Sequence, residues 1–308
     1  MVANLIKPPA LKAADTVGVV ASAAAVDREY LERGVNALSA LGFRVKVSER
    51  ALARAGILAG TDRDRAAELM AFFADPEIKA IFAARGGYGC GRILPLLDFE
   101  AIARTPKPYI GFSDATFILN ALVMRSRMVC FHGPMIAMDF AHGVTPRSLN
   151  HLLGLLSGEL TQFTLEARET VRGGIGAGEL IGGCLSVVAA MLATPYLPDF
   201  SGRVLFLEDT GEKAYRIDRM LTQLKQAGVL DQVAAVVFGA IRVPHGSEQE
   251  RRLTAEFVHN QTSQLKCPVL LGIEAGHGTE NLTLPIGLPV QVDGDAGRLI
   301  VTQAAVTG

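Results

Sequence analysis

Short apolar, β-branched runs alternate with segments of helical period through the first half of the chain, and this alternation limits the fold more than any other feature. Residues 16–21 form the first run. Residues 27–41 follow with Leu31, Val35, Leu38 and Leu41 on one helical face, and Gly42 stands where a helix end favours glycine. Residues 43–47 alternate as a strand does. Thr61 can cap a helix carrying Leu69, Met70 and Phe73, which Asp75-Pro76 stops. Further strands are expected at 78–84, 108–112 and 128–131, with helices over 114–124 and 145–156. Such alternation predicts a parallel sheet covered on both faces.

Residues 161–178 are polar and glycine-rich with no clear period, and are expected as a linker between domains at 1–160 and 179–308. Beyond them, strands are expected at 179–182, 203–207, 233–241 and 269–273, and helices at 185–192, 214–226 and 247–265. From residue 282 onward, Gly, Pro and Asp-Gly punctuate short runs, as in hairpins. Two domains agree with 308 residues at roughly 150 per domain.

Composition narrows the function. A hydrophobic fraction of 49% with 20% charged residues excludes a disordered chain. Thirty Lys and Arg balance 31 Asp and Glu, giving a net charge of −1, and Trp is absent. No field or stacking platform draws in nucleic acid, and none draws in an anionic membrane. No apolar run approaches the roughly 18 residues of a membrane span. Lys7 and Lys12 before the apolar stretch 17–26 resemble a secretory leader, but Pro8, Pro9 and Asp15 and the β-branched start favour a buried first strand. A cytoplasmic protein is expected. Cys90, Cys130, Cys184 and Cys267 form no C-x-x-C pair, which fits a reducing compartment and buried thiols.

Four segments at strand ends could carry chemistry. In 108–116 a strand runs into Ser113 and a helix follows, the outline of a nucleophile elbow, although Ala115 stands where G-x-S-x-G has glycine. Ser113 or Asp114 could instead simply cap the helix. Arg85-Gly86-Gly87-Tyr88-Gly89-Cys90-Gly91 follows another strand; it could donate N–H groups to an oxyanion or be a plain tight turn, and it is neither a dinucleotide fingerprint nor a P-loop. Glu208 and Asp209 close a strong strand, and either could orient a histidine. His277, in Glu274-Ala275-Gly276-His277-Gly278, and His132 are the two histidines in glycine-containing loops after strands. His142, His151, His245 and His259 fall in helices or polar connections. Glu274 and His277 lack a third ligand with supporting spacing, so no metal and no cofactor are expected. Ser113, an acid and His277 could form a triad.

At these residues the chain resembles the LD-carboxypeptidase family of serine peptidases, which includes microcin C immunity-type peptidases. The resemblance begins at Asp15-Thr16-Val17-Gly18-Val19-Val20-Ala21 and continues through 58–62. It is strongest at 84–89, 110–114, 131–135, 207–212 and 215–221, and closes at 276–287. It implies a flavodoxin-like N-terminal domain with a parallel sheet and a smaller, β-rich α/β C-terminal domain, with the site between them in a homodimer. It implies a triad of Ser113, Glu208 and His277, an oxyanion hole from Asp114 and the Gly86-Gly87 turn, and release of terminal D-alanine from murein tetrapeptides in peptidoglycan recycling. Arg85, beside that turn, is the candidate for the substrate carboxylate, with a structural ion pair the equal alternative. Cys184 replaces an asparagine common in relatives, and 22–25 lack their Pro-Ser. The alternatives are cleavage of peptidyl-adenylate-like compounds, for which Phe163 is the one aromatic at hand in 161–178, and a murein-fragment binding protein that does not cleave. A dinucleotide-dependent oxidoreductase lacks its fingerprint.

Overall fold

Strands sandwiched between helices must be apolar on both faces, and residues 16–20, 78–83 and 109–111 are almost wholly buried. A computed structural model describes residues 5–243 and 246–308. His245, expected in a polar connection, and residues 1–4 of the expected first domain lie outside the described residues. The chain divides into two units. The first holds Met1–Leu160, Leu282–Gly287 and Ala304–Gly308, and the second Thr161–Asn281 and Leu288–Gln303.

In the first unit, β1 (Thr16–Val20), β2 (Arg44–Val47), β3 (Ile78–Ala83), β4 (Tyr109–Gly111) and β5 (Cys130–His132) are parallel. Their spatial order, β2-β1-β3-β4-β5, is flavodoxin-like. Helices Arg28–Ala40, Asp62–Ala74, Thr116–Ser126 and Pro146–Ser157 bury Leu31, Leu38, Leu69, Phe73, Ile118 and Leu152. Asp27, Thr61 and Thr145 cap three of them, each side chain accepting a backbone N–H of the first turn. The helix expected over 114–124 begins later. Ser113–Ala115 form a tighter 3₁₀ turn, and the α-helix starts at Thr116.

The second unit contributes β6 (Phe163–Glu166), β7 (Glu169–Arg172), β8 (Ile175–Cys184), β9 (Val204–Thr210), β10 (Ala235–Arg242) and β11 (Val269–Leu271). The chain then returns to the first unit, where β12 (Leu284–Ile286) pairs antiparallel with β5 rather than entering a hairpin. β13 (Pro289–Asp293) and β14 (Arg298–Val301) form the expected hairpin and complete an eight-stranded sheet, in the order β6-β14-β13-β8-β9-β10-β11-β7. Its centre, β8 to β11, is parallel and its flanks are antiparallel. The segment 161–178 is therefore not a linker but holds β6, β7 and the start of β8. β6 and β7 are the two sheet edges, and most of their side chains are exposed. An edge strand needs no apolar run, so the composition read as a connection. Helices Leu185–Met191, Ala214–Gln226 and Glu248–Thr262 lie where the periodicity places them. Among the described residues, no helix is long and apolar enough to cross a membrane.

Candidate active site

In the first unit the carboxyl ends of β3 and β4 carry the glycine loop and Ser113. Phe112 is fully extended, and Ser113 then turns to φ +59°, a left-handed conformation that few side chains adopt. The turn lifts the hydroxyl off the strand end, as a nucleophile elbow does. Ala115 replaces the expected second glycine at no steric cost because its neighbour is Gly111. A Cβ on Gly111 would stand 3.0 Å from that of Ala115, so the glycine sits on the strand side of the contact instead.

Gly86 lies against this turn. A Cβ at Gly86 would approach the Ser113 Cβ to 2.8 Å, its Oγ to 2.9 Å and the Asp114 nitrogen to 3.3 Å. Only glycine brings the 86–87 backbone this near to the hydroxyl. The Asp114 carboxylate, itself buried, accepts the Cys90 backbone N–H at 2.7 Å and so ties the glycine loop to the serine turn. Burial raises the Asp114 carboxyl above the ordinary carboxylate range, while the bond from Cys90 opposes the rise. The fully buried Arg65 holds the other side of the loop: its Nη1 donates to the carbonyls of Ser22 and, at 2.9 Å, Gly89. Arg65 was visible in the sequence only as one of several helix charges. Nothing local marked it as interior.

Arg85 Nη1 donates to the Ala25 carbonyl at 3.3 Å. Among the described residues it makes no ion pair, and this bond ties its side chain to the backbone after β1. His132 is fully buried at the end of β5, its ring 5.6 Å from that of Phe112.

In the second unit Glu208 and Asp209 are successive residues of β9 and point to opposite faces. Glu208, fully buried, accepts the His277 Nδ1 proton at 2.6 Å and the His277 backbone N–H at 3.1 Å through the same Oε2. Asp209 turns away, accepting the Ser186 N–H at 2.7 Å at the start of helix Leu185–Met191. The carboxylate that meets the imidazole is thus Glu208. A proton held on Nδ1 leaves Nε2 as the basic nitrogen.

Gly276 makes the contact possible. It has φ +89°, and a Cβ there would fall 2.5 Å from Glu208 Oε2. Its N–H donates to the side chain of the buried Asn281 at 2.9 Å, which closes the loop. Asn281 escaped the sequence reading, although an asparagine five residues after a glycine in a turn-rich stretch is a usable signal. Arg242 donates to the His277 carbonyl at 3.0 Å. Cys184 sits beside Glu208 in the β8–β9 register, with its Sγ 3.3 Å from Ser186 Oγ; burial first, and then the neighbouring carboxylates, push its thiol well up.

His259 pairs with Glu169, and burial lowers His151 to about 4. Among the described residues, no three His, Cys, Asp or Glu side chains gather as metal ligands.

Residues 17–133 match the LD-carboxypeptidase N-terminal domain, and residues 177–292 match the LD-carboxypeptidase C-terminal domain. The chain is 36% identical over 306 residues to the probable murein peptide carboxypeptidase of Bacillus subtilis, covering 98% of this chain and 95% of that one. It is 26% identical to the microcin C7 self-immunity protein MccF of Escherichia coli, over 95% of this chain and 94% of that one. The crystal structure of muramoyltetrapeptide carboxypeptidase from Oxalobacter formigenes superposes with a TM-score of 0.82 at 30% identity, covering 92% of this chain and 97% of that one.

Proposed function

The chain belongs to the LD-carboxypeptidase family, and from that premise we propose that it is a serine-type peptidase releasing the terminal D-alanine of murein tetrapeptides by hydrolysis of the L,D amide bond. The observation that carries the reading is the buried Glu208 carboxylate 2.6 Å from His277 Nδ1, an arrangement that serves a general base. Ser113 Oγ attacks the amide carbonyl as His277 Nε2 takes its proton. Glu208 holds the tautomer and stabilises the imidazolium. The Asp114 N–H and the Gly86-Gly87 turn donate to the oxyanion. His277 returns the proton to the departing amine of D-alanine, leaving an acyl-enzyme on Ser113. Water, deprotonated by the same histidine, then releases the shortened peptide. Arg85 receives the terminal carboxylate of the substrate.

Relatives named for murein peptides support this substrate over an adenylate-type compound. So does Phe163, which lies half-buried in β6, paired with β14, rather than in a free loop. We place the reaction in the cytoplasm, which four free thiols suit, and assign a homodimer to the family expectation.

The test is to incubate the protein, and Ser113→Ala in parallel, with a murein tetrapeptide ending in D-alanine and to follow the peptide mass. Loss of one alanine by the wild type alone is expected. Loss by both removes Ser113 from its role. Loss by neither turns the reading toward another substrate or a binding protein.

A further inference from the structure

One peptide unit of the glycine loop is held at both ends by charged side chains. The Gly89 carbonyl accepts from Arg65 Nη1 at 2.9 Å. The N–H of the same amide, on Cys90, donates to Asp114 Oδ2 at 2.7 Å. A cation on the oxygen and an anion on the hydrogen polarise the amide in the same sense, so each bond strengthens the other. Gly89 has φ +130°, and a Cβ there would stand 2.7 Å from Arg65 Nη1 and 2.8 Å from Leu58 Cδ2. The loop therefore lies directly on the guanidinium.

The guanidinium is itself fixed by two further bonds. Nη1 also donates to the Ser22 carbonyl, just past β1, and Nη2 donates to Asp62. Arg65 and Asp62 both belong to helix Asp62–Ala74. Arg92, in the short helix after the loop, clasps the same carboxylate through Nε at 3.0 and 3.1 Å and Nη2 at 2.8 Å. The bonds from Arg92, joined by the one from Arg65, outweigh burial and hold the Asp62 carboxyl below the ordinary carboxylate range. Arg65 thus keeps its counterion at neutral pH. Its side chain is wholly covered, which is costly for a charge. A lysine's compact ammonium lacks the planar fork that reaches two carbonyls and a carboxylate at once.

The 86–87 backbone, which lies against the Ser113 hydroxyl, falls between β3 and this amide. The Ala84 N–H donates to the Val20 carbonyl at 2.8 Å, so the short stretch is fixed by the sheet at one end and by the clamped amide at the other. We propose that Arg65 is a positioning residue for the reaction: it holds the 89–90 amide on Asp114 and thereby fixes the 86–87 donors where an oxyanion on Ser113 forms, without touching substrate. The proposal rests on the reading of Ser113 as the nucleophile.

The test compares Arg65→Met, Arg65→Lys and Asp62→Asn with the wild type. It measures kcat and KM on the murein tetrapeptide, Tm, and the rate at which a fluorophosphonate labels Ser113. Arg65→Met should lower kcat about 10²-fold, the effect of misplacing an oxyanion donor by about 1 Å, with KM within roughly threefold. Arg65→Lys should recover part of that loss, because an ammonium still reaches one carbonyl. Asp62→Asn changes a side chain that is 29% exposed, and it should lower kcat roughly tenfold, the value of one charge-assisted hydrogen bond. Labelling should fall in step with kcat. A fall in Tm with kcat and labelling unchanged overturns the proposal, as does a loss in KM alone or a methionine that serves as well as a lysine. Asp62→Asn at wild-type kcat overturns it even where the Arg65 variants do not fold. A wild type that cleaves no murein peptide but labels at Ser113 in the expected order overturns the substrate reading alone. Absence of both cleavage and labelling overturns both.

Discussion

Replacing Gly276 by alanine tests how closely the Glu208–His277 pair depends on backbone that touches no substrate. The new Cβ would lie 2.5 Å from Glu208 Oε2 and 2.6–2.7 Å from its Cγ and Cδ. Carbon needs about 3.4 Å against such atoms, so the carboxylate or the 276–277 backbone must retreat by roughly 1 Å, a displacement that can cost about 10²-fold in rate. That is about 2.7 kcal/mol of transition-state stabilisation. Alanine at φ +89° adds about 1–2 kcal/mol of strain to the folded state. Disturbing a fully buried carboxylate adds more. A fall in Tm of roughly 4–10 °C follows at about 2–4 °C per kcal/mol. The assay is peptide hydrolysis followed by mass, with Tm from circular dichroism on the same samples. A Gly276→Ala protein with kcat within twofold of the wild type and an unshifted Tm would refute the reasoning. It would mean that the imidazole does not need the carboxylate where the structure puts it.

Three further outcomes are expected. Ser113→Gly relieves a left-handed serine at about 1 kcal/mol, offset in part by glycine's unfolded-state entropy, so Tm should hold or rise while hydrolysis stops; a clear drop in Tm would deny the strain. Asp114 has a raised folded pKa, so its favourable contribution is complete below about pH 4 and is lost as pH rises through the raised value. Asp114→Asn keeps an acceptor for Cys90 and should flatten that acid-side dependence in melts run from pH 4 to 7, whereas an unaltered slope would assign it to other groups. Cys90, Cys130 and Cys184 are buried with thiols pushed up by burial, and Cys267 is only partly covered. A chromogenic disulfide should therefore react with one thiol in the native protein and four in denaturant, and rapid native labelling of more than one would contradict the burial.

The first sheet was legible because its strands are interior. A strand covered on both faces must be an apolar run, and 16–20, 78–83 and 109–111 cannot be read otherwise. The serine elbow showed for a related reason, since a strand ending at Ser113 with a helix after it leaves one sharp turn between them. The glycine loop after β3 was visible as composition, but the reason for Gly86, a serine side chain 2.9 Å from where its Cβ would be, was not. β6 and β7 went unseen because edge strands expose their side chains. β12 was placed in a hairpin because its partner, β5, lies about 150 residues away along the chain, and no local pattern encodes a partner so distant.

Local periodicity, capping residues and glycine positions by themselves determined the strand–helix order, the parallel sheet of the first half and the strand-end placement of the chemical groups. These depend on a few neighbouring residues, which any stretch of sequence contains. The tertiary structure decided the rest. It chose Glu208 over Asp209, because the face a side chain occupies is fixed by the strands beside it. It assigned 161–178 to a sheet, brought Asn281 to Gly276 and turned Arg65 inward. Each of these depends on the approach of segments far apart in sequence, and the free energy of that approach belongs to the packed chain rather than to any one segment of it.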